Sequence, residues 1–305
     1  MDLINKFLNL VAPPFTLFSL CLFLPPFLCY KFLLSVFNSI FSEDVSGKVV
    51  IITGASSGIG EHLAYEYARR GACLALCARR EKSLEEVADT AREIGSPDVI
   101  TIRADVSKVD DCRSLVEETM NHFGRLDHLV NNAGISSVAP FEDTVNITDF
   151  KQIMASKAAL VLFFETLRVE LGSDVGVTIV TPGFIESELT QGKFLTGEGR
   201  IQIDENLRDA QVSTIPVQSA WSCAKAIVNS VCRGDTYLVV PSWFRTTYWM
   251  KVLCPELLEF WYRVFYMGRP EEPSYEAPSQ KVSDYTGAQN VLYPSSDQSA
   301  DIKTE

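Results

Sequence analysis

The beginning of the chain is set apart by an uninterrupted apolar run. Phe and Leu dominate the sequence between Lys6 and Lys31, and no charged residue occurs there. About 20 apolar residues cross the hydrocarbon core of a bilayer as a helix, so the run predicts a membrane anchor over residues 1–45. The pairs Pro13-Pro14 and Pro25-Pro26 favour a segment that enters one leaflet and turns back, because proline removes a helical hydrogen bond. A single spanning helix stays open as the alternative.

From residue 46 onward, short apolar runs alternate with stretches of helical periodicity. The β-branched runs predict buried parallel strands, and the stretches between them predict helices. The predicted strands cover residues 47–53, 73–78, 99–103, 126–130, 177–180 and 236–240, and the predicted helices include 61–70, 147–171 and 201–235. This alternation predicts an α/β fold, a doubly wound parallel sheet of the Rossmann type, over residues 46–245.

A glycine-rich turn joins the first strand of this domain to its first helix. The turn has the glycine spacing of a dinucleotide-binding site and contains Gly54, Ser56, Ser57, Gly58, Ile59 and Gly60. Glycines let the backbone approach a pyrophosphate, and the free N–H groups of the helix N-terminus bind it. The context of strand, turn and helix therefore predicts a cofactor site here.

Two arginines, Arg79 and Arg80, follow the second strand. A site for NAD has an acidic residue at this position, which binds the ribose hydroxyls. Arginine pairs instead with a 2′-phosphate, so the predicted cofactor is NADP(H). Two solvated arginines at a strand end remain the alternative interpretation.

Together these motifs resemble the short-chain dehydrogenase/reductase family. The resemblance is carried by Thr53-Gly54-x-x-x-Gly58-x-Gly60, Asn131-Asn132-Ala133-Gly134 and Pro182-Gly183. Within that family, the apolar anchor is similar to that of 11-beta-hydroxysteroid dehydrogenase-like proteins, and its proline pairs are similar to those of plant steroleosins of oil bodies. The resemblance implies that the adenine lies between Asp105 and Val106, that Asn132, Ala133 and Gly134 line the cofactor, and that the loop after Pro182 and Gly183 contacts its carboxamide side.

The catalytic residues that the resemblance implies are incomplete. The family uses a tyrosine four residues before a lysine, with a serine further upstream, because the ammonium lowers the pKa of the phenol. Lys157 matches the lysine, but Ile153 stands at the tyrosine position, and no tyrosine occurs between Tyr67 and Tyr237. A single predicted helix separates the Asn131–Gly134 turn from the next strand. One βα unit is therefore absent, and the join lies near Met154.

The absent unit changes what is expected of the sheet. Neighbouring strands lie about 5 Å apart, so the loss of one leaves a gap of that size unless the flanking strands move together. A right-handed connection would permit the sheet to close with one strand fewer. The flanking helix loses cover, so we expect Leu160, Phe163 and Phe164 to be exposed and the protein to be unstable or to aggregate.

Charge and composition limit the classes of molecule that this chain is expected to bind. The formal net charge of −12 argues against a nucleic-acid partner. Residues 271–305 are acidic and rich in Ser, Pro and Gln, which predicts a disordered tail. The aromatic segment 246–270 is expected to contact a membrane or gate a lipophilic substrate, with a helix packed on the core as the alternative. The eight cysteines have no spacing typical of a metal site or a disulfide framework.

Two hypotheses of function follow. The first is an NADP-dependent oxidoreductase that interconverts a hydroxyl and a ketone on a lipophilic, steroid-like substrate, as the resemblance implies, but impaired here because the tyrosine and serine are missing. The second is a non-catalytic lipid-surface protein or a partner of a full-length relative. Whether this chain is an enzyme stays open. Under both hypotheses we expect attachment to an oil body or the endoplasmic reticulum, with the domain facing the cytosol, and a homodimer stays open.

Overall fold

The fold is described from a computed structural model that covers residues 2–135, 147–187, 190, 193–195, 201–203 and 216–266. The predicted acidic tail, residues 271–305, and the end of the aromatic segment, residues 267–270, lie outside the described residues. Eight strands and eight α-helices fall within these ranges. They are named β1–β8 and α1–α8 in chain order.

The apolar N-terminal run forms one continuous helix, α1 (Asp2–Ile40), with all four prolines inside it. The segment Leu3–Ile40 is long and apolar enough to cross a membrane, and no part of its most apolar window is buried against the protein. At 1.5 Å rise per residue the helix is roughly 58 Å long. Neither proline pair breaks the helix, so the turn expected of a leaflet hairpin is absent from the described part of this segment.

The first sheet contains four parallel strands in the order β3-β2-β1-β4. Its elements are β1 (Val49–Thr53), α2 (Gly58–Arg69), β2 (Cys73–Ala78), α3 (Glu81–Ile94), β3 (Val99–Arg103), α4 (Val109–Phe123) and β4 (His128–Val130). Each helix returns the chain to the amino end of the next strand, which a parallel sheet requires. This order confirms the predicted Rossmann-type fold and places the carboxyl ends of all four strands on one edge.

Alternating residues of β1 and β2 face two separate apolar layers. Val50 and Leu74 lie in a large buried cluster with side chains of α2 and α3. Ile51 and Ala75 face the other side, where Leu115 of α4 is buried against them. Strands covered on both faces have near-continuous apolar sequences, which is why these runs could be recognised without periodicity.

The amino end of β4 is held by a charged side chain. The carboxylate of Asp127 accepts a hydrogen bond from the main-chain N–H of Val49 at 2.9 Å and one from Arg125 at 2.5 Å. Burial alone would raise the pKa of Asp127, but these hydrogen bonds outweigh it, and the pKa is lowered. The ionised carboxylate therefore ties β4 to β1.

The second half of the sheet is separate from the first. Helix α5 (Ile147–Leu171) leads to β5 (Ile179–Pro182), which pairs in parallel with β8 (Tyr237–Val240). Among the described strands, none pairs with the open side of β4 or of β5. The gap left by the absent unit therefore remains, and closure with one strand fewer is not observed. Leu160 and Phe163 of α5 are exposed as expected, whereas Phe164 is half-buried.

The region between β5 and β8 corrects one prediction. Residues 201–235 were expected to be helical throughout, but β6 (Lys193–Leu195) and β7 (Ile201–Ile203) form an antiparallel pair. Ile201 and Ile203 alternate with Gln202, a period of two that suits a strand. The described helix α6 (Ala220–Cys232) covers the later part of the expected helical stretch and packs against α2, and residues 204–215 lie outside the described residues. Buried Val228 of α6 and Val240 of β8 share one apolar cluster, which attaches the second sheet to the core.

The aromatic segment forms two helices, α7 (Arg245–Leu253) and α8 (Pro255–Tyr266). None of the described residues of α7 is buried, and the described side chains of α8 are exposed or half-buried. Trp249, Phe260 and Trp261 are among the exposed aromatics. The alternative of a helix packed on the core is therefore not observed within residues 245–264.

The end of α1 is fixed to the domain. The Asn38 side chain donates a hydrogen bond to the carbonyl of Arg233 at 2.9 Å, and the main-chain N–H of Glu43 donates to the last carbonyl of α6 at 2.8 Å. Burial would raise the pKa of Glu43, but hydrogen bonds from Lys48 and His128 outweigh it and lower that pKa. Helix α1 is thus joined to the domain by specific contacts.

Candidate functional site

The glycine turn after β1 is closely packed. Gly54 and Gly58 have φ angles of +66° and +61°, a left-handed conformation that favours glycine. Gly60 has an ordinary φ, but a Cβ there would overlap the carbonyl of Gly54 and lie 2.6 Å from Nδ2 of Asn132. Gly54 and Gly60 therefore have no room for a side chain, and Gly58 is required by its left-handed backbone. The backbone of the turn stays open to a ligand.

Hydrogen bonds join this turn to the one after β4. Nδ2 of Asn132 donates to the carbonyls of Thr53 and Gly54, at 3.1 and 3.2 Å. The hydroxyl of Thr53 accepts the main-chain N–H groups of Asn132 and Ala133, at 3.0 and 3.1 Å, and donates to the carbonyl of Val130. The carboxyl ends of β1 and β4 thus form one rigid floor, where ligands of parallel α/β sheets bind.

Arg80 lies over the glycine turn. Its guanidinium donates to the hydroxyl of Ser57 at 2.6 Å and to that of Ser56 at 3.2 Å. Arg79 lowers the pKa of Asp105 as a lesser cause, after the hydrogen bonds from Ser107 to that carboxylate. Two cations therefore border the part of the site next to β2.

A single cavity of 2940 Å³ joins most of the predicted cofactor residues. It is lined by Gly54, Ser56, Ser57, Gly58, Ile59, Arg79, Arg80, Asp105, Val106, Asn132, Ala133, Gly134, Lys157 and Pro182. Gly60 and Gly183 do not line it. Gly60 is buried beneath the turn, and a Cβ on Gly183 would lie 2.6 Å from the ring of Phe244, so both are packing positions.

Lys157 reaches the floor of this site from α5. Its Nζ would lie 3.1 Å from a Cβ placed on Gly134, so the ammonium lies beside the turn after β4. Tyr67 is the one tyrosine among the described residues that line the cavity. Its hydroxyl contacts Nδ1 of His128 at 3.1 Å, at the amino end of β4, and burial raises its pKa. Tyr67 is therefore at the opposite end of the strand from Lys157 and cannot replace the missing phenol.

Several lining residues were not predicted. Ser187 approaches the glycine turn, since its Cβ lies 3.3 Å from a Cβ placed on Gly58. Val161 and Leu167 of α5 line the same cavity as the cofactor residues. An apolar helical face carries no signal that distinguishes a cavity wall from a packed core, and Ser187 stands in no motif.

Comparisons with known proteins identify the family and the fold of this chain. The sequence model of the family described as short chain dehydrogenase matches residues 48–155. The match ends two residues before Lys157, next to the join near Met154. Two solved structures share the fold: L-sorbose reductase from Gluconobacter frateurii complexed with NADPH and L-sorbose, and a short chain dehydrogenase/reductase from Burkholderia phymatum in complex with NAD. The L-sorbose reductase is 24% identical with a TM-score of 0.54, over 65% of this chain and 97% of its own chain. The Burkholderia phymatum protein is 22% identical with a TM-score of 0.57, over 75% of this chain and 98% of its own chain.

Sequence relatives cover the whole chain. The 11-beta-hydroxysteroid dehydrogenase A of Arachis hypogaea is 54% identical, and the 11-beta-hydroxysteroid dehydrogenase 1A of Arabidopsis thaliana is 51% identical, with 100% of each chain covered in both cases. Both alignments extend over 349 positions, and this chain has 305 residues, so at least 349 − 305 = 44 positions are occupied by the relative alone. That length agrees with an absent βα unit. The names of these relatives support a dehydrogenase function, and the chain belongs to the short-chain dehydrogenase/reductase family, whose members use nicotinamide cofactors.

Proposed function

We propose that this chain binds NADP(H) at a lipid surface and has lost most or all of the oxidoreductase activity of its lineage. That activity would interconvert a hydroxyl and a ketone on a lipophilic, steroid-like substrate. The observation that carries the proposal is the cofactor floor: the glycine turn, the Asn132 turn and Lys157 meet in one cavity, and no phenol stands beside the lysine among the described residues.

The preference for NADP(H) rests on Arg80. Its guanidinium already lies within hydrogen-bonding distance of two serine hydroxyls of the glycine turn, where the adenosine ribose of a bound cofactor would lie. Planar guanidinium groups bind phosphate through paired hydrogen bonds. Two carboxylates line the cavity near Arg80: Asp105, which follows β3, and Glu81, the first residue of α3. The residue directly after β2 is Arg79, so the place of the acid that binds a ribose diol in NAD sites is taken by arginine.

The loss of activity follows from the chemistry of proton transfer. Bound NADP(H) would accept or supply the hydride. The substrate oxygen must lose or gain a proton in the same reaction, and a positioned acid or base contributes about 10²- to 10⁴-fold to such a step. Lys157 can bind a cofactor hydroxyl or the substrate, but without the tyrosine it has no partner group at the reacting oxygen. We therefore place the chain's turnover at least about 100-fold below that of an intact relative.

A second candidate function is a lipid-surface role without catalysis. It is favoured by the apolar surface that the described residues expose: α1 along its length, and the aromatic face of α7 and α8. An oil-body surface has no far aqueous side, and the endoplasmic reticulum membrane has one. Attachment to either would account for this surface without any chemistry at Lys157.

Cofactor choice is tested by measuring NADPH and NADH affinity for the full chain in detergent, with Arg80→Ala as the variant and Arg113→Ala as the matched control. Arg113 is exposed on α4 and pairs with Asp110, away from the cavity. Hydrogen bonds to charged groups contribute about 1.5–3 kcal/mol, so Arg80→Ala should weaken NADPH binding by about 10- to 100-fold and leave NADH nearly unchanged. Equal losses for both cofactors would refute the 2′-phosphate assignment.

Activity is tested by oxidation and reduction of a sterol panel, followed by mass spectrometry. The comparison protein is a chimaera that carries, between Met154 and Ala155, the additional positions of the Arachis hypogaea relative. We expect turnover in the chimaera to exceed that of this chain by at least about 100-fold, while both bind NADPH. Similar turnover in both proteins would overturn the proposal, because another acid would then have to replace the tyrosine.

A further inference from the structure

We propose that the gap between β4 and β5 is an acceptor site for one parallel β-strand from a second polypeptide, a relative that keeps the segment absent from this chain. In this arrangement the incoming strand joins the four-stranded sheet to the β5-β8 pair. The chain would then act as the receiving part of a two-chain assembly.

The first argument is the direction of the peptide groups. In β1 the carbonyl of Val49 faces β4, because it accepts the N–H of Asp127 at 3.0 Å, so the main chain of Ile51 faces β4 too. Ile51 is the parallel partner of Leu129 and bonds to the residues on either side of it, so the N–H and C=O of Leu129 face the open side. In β5, the N–H of Ile179 donates to the carbonyl of Thr236 at 3.0 Å. The main-chain groups of successive residues point to opposite sides of a strand, so the N–H and C=O of Val180 face the open side.

The second argument is that these two edges face the same space. Leu129 and Val130 of β4 and Ile179 and Val180 of β5 all line the 2940 Å³ cavity. Both strands are parallel members of their sheets, and both run towards the cofactor end of the cavity. One parallel strand between them would therefore complete both hydrogen-bond ladders at once.

The third argument concerns the size and lining of the cavity. Sites for small molecules usually enclose about 300–1,000 Å³, so a cofactor leaves much of this space unfilled. An acyl chain or a sterol would contact the apolar side chains but would offer no hydrogen-bond partner to the main-chain N–H and C=O groups of Leu129 and Val180. A β-strand satisfies both, which is why we favour a polypeptide over a lipid.

The donor is identified by what this chain lacks. At least 44 positions of the relatives have no counterpart here, enough for a strand with its crossover helix, which needs about a dozen residues or more. A second copy of this chain lacks the same positions. The fitting donor is therefore a relative that retains them, or the retained segment on its own.

The experiment uses the full chain in lipid nanodiscs and a synthetic peptide that covers the additional positions of the Arachis hypogaea relative. Peptide binding is followed by fluorescence anisotropy, and hydrogen exchange is measured at the amides of Leu129 and Val180. The other open edge of the four-stranded sheet, β3, provides an internal control. We expect saturable binding and exchange slowed about 10-fold or more in β4 and β5, with β3 unchanged.

Two controls separate a strand from an apolar ligand. A peptide N-methylated at alternate residues keeps its side chains but cannot donate ladder hydrogen bonds, so it should bind at least about 10-fold more weakly. In the chain, Val180→Pro removes a donor on the open edge, where proline is tolerated, and Val180→Thr keeps it. Equal binding of both peptides, protection of β3 as well, or no protection of β4 and β5 would each overturn the proposal. These readouts need no turnover, so they stand apart from the test of activity.

Discussion

The substitution Gly60→Ala tests how tightly the glycine turn and the Asn132 turn are joined. Gly60 has no left-handed backbone requirement, so alanine suits its φ angle. In an exposed helix, this exchange would stabilise the protein by about 1 kcal/mol. Here the new methyl group would overlap the carbonyl of Gly54 and approach Nδ2 of Asn132 to 2.6 Å. Most of these atoms belong to the backbone, so they cannot move aside at low cost.

The expected magnitude follows from the two opposing effects. Overpacking costs about 1–3 kcal/mol, and a Cβ that would overlap the Gly54 carbonyl oxygen places this exchange at about 2–3 kcal/mol, above the gain of about 1 kcal/mol in helix propensity. We expect a net loss of about 1–2 kcal/mol, which for a domain of this size lowers Tm by roughly 2–8 °C. The displaced turn should also weaken NADPH binding by about 10-fold or more.

The assay is thermal unfolding with and without NADPH, using Gly176→Ala as the matched control. A Cβ on Gly176 meets no atom within 4 Å, and this glycine has an ordinary φ angle, so its exchange should change neither Tm nor affinity. A Gly60→Ala variant as stable as the parent chain, with unchanged NADPH affinity, would refute the close packing of the two turns.

Three further predictions concern charge, exposure and solubility. The pKa of Asp127 is lowered in the folded chain, so its stabilisation is fully present above about pH 4 and is lost as pH falls through the lowered folded pKa. Asp127→Asn should therefore lower Tm at pH 7, and this difference in Tm should shrink as the pH is taken below about 4. If α1 enters lipid, maleimide should label Cys21 and Cys29 in detergent but not in vesicles. Cys254 should be labelled under both conditions. Phe163→Ser, at a side chain that is 59% exposed, should raise the soluble fraction without lowering Tm.

Much of the fold could be predicted because local sequence patterns determine the strands in the first half of the domain. The strands β1, β2 and β3 are apolar runs bounded by turns, and burial on both faces makes such runs recognisable. Helix α5 was expected over the residues that it occupies, and its direct continuation into Lys157 revealed the absent unit. The cofactor residues around Gly54 and Asn132 followed from motifs, because the chemistry of a dinucleotide site restricts residue types strongly.

The remaining features depend on contacts distant in sequence. The distance between β4 and β5 depends on how α6 and β8 pack the second sheet against the core. Local sequence patterns carry no information about that packing. The expectation of a helix from residue 201 failed because three residues of alternating polarity are too few to distinguish a strand from a helix. Likewise, the sequence alone does not distinguish Arg80 from Arg79. The difference depends on the hydrogen bonds of Arg80 to serine hydroxyls more than 20 residues upstream.

The contacts that fix α1 to α6 determine how this protein would encounter partner molecules. With Asn38 and Glu43 hydrogen-bonded to the domain, the cofactor cleft has a set height and orientation relative to the helix, instead of swinging on a flexible tether. If α1 lies in lipid, molecules in the same surface are met by a two-dimensional search at a high effective concentration. A chain without turnover would then still compete with its intact relatives for surface and partners. Its amount on that surface, rather than any rate constant, would decide its effect.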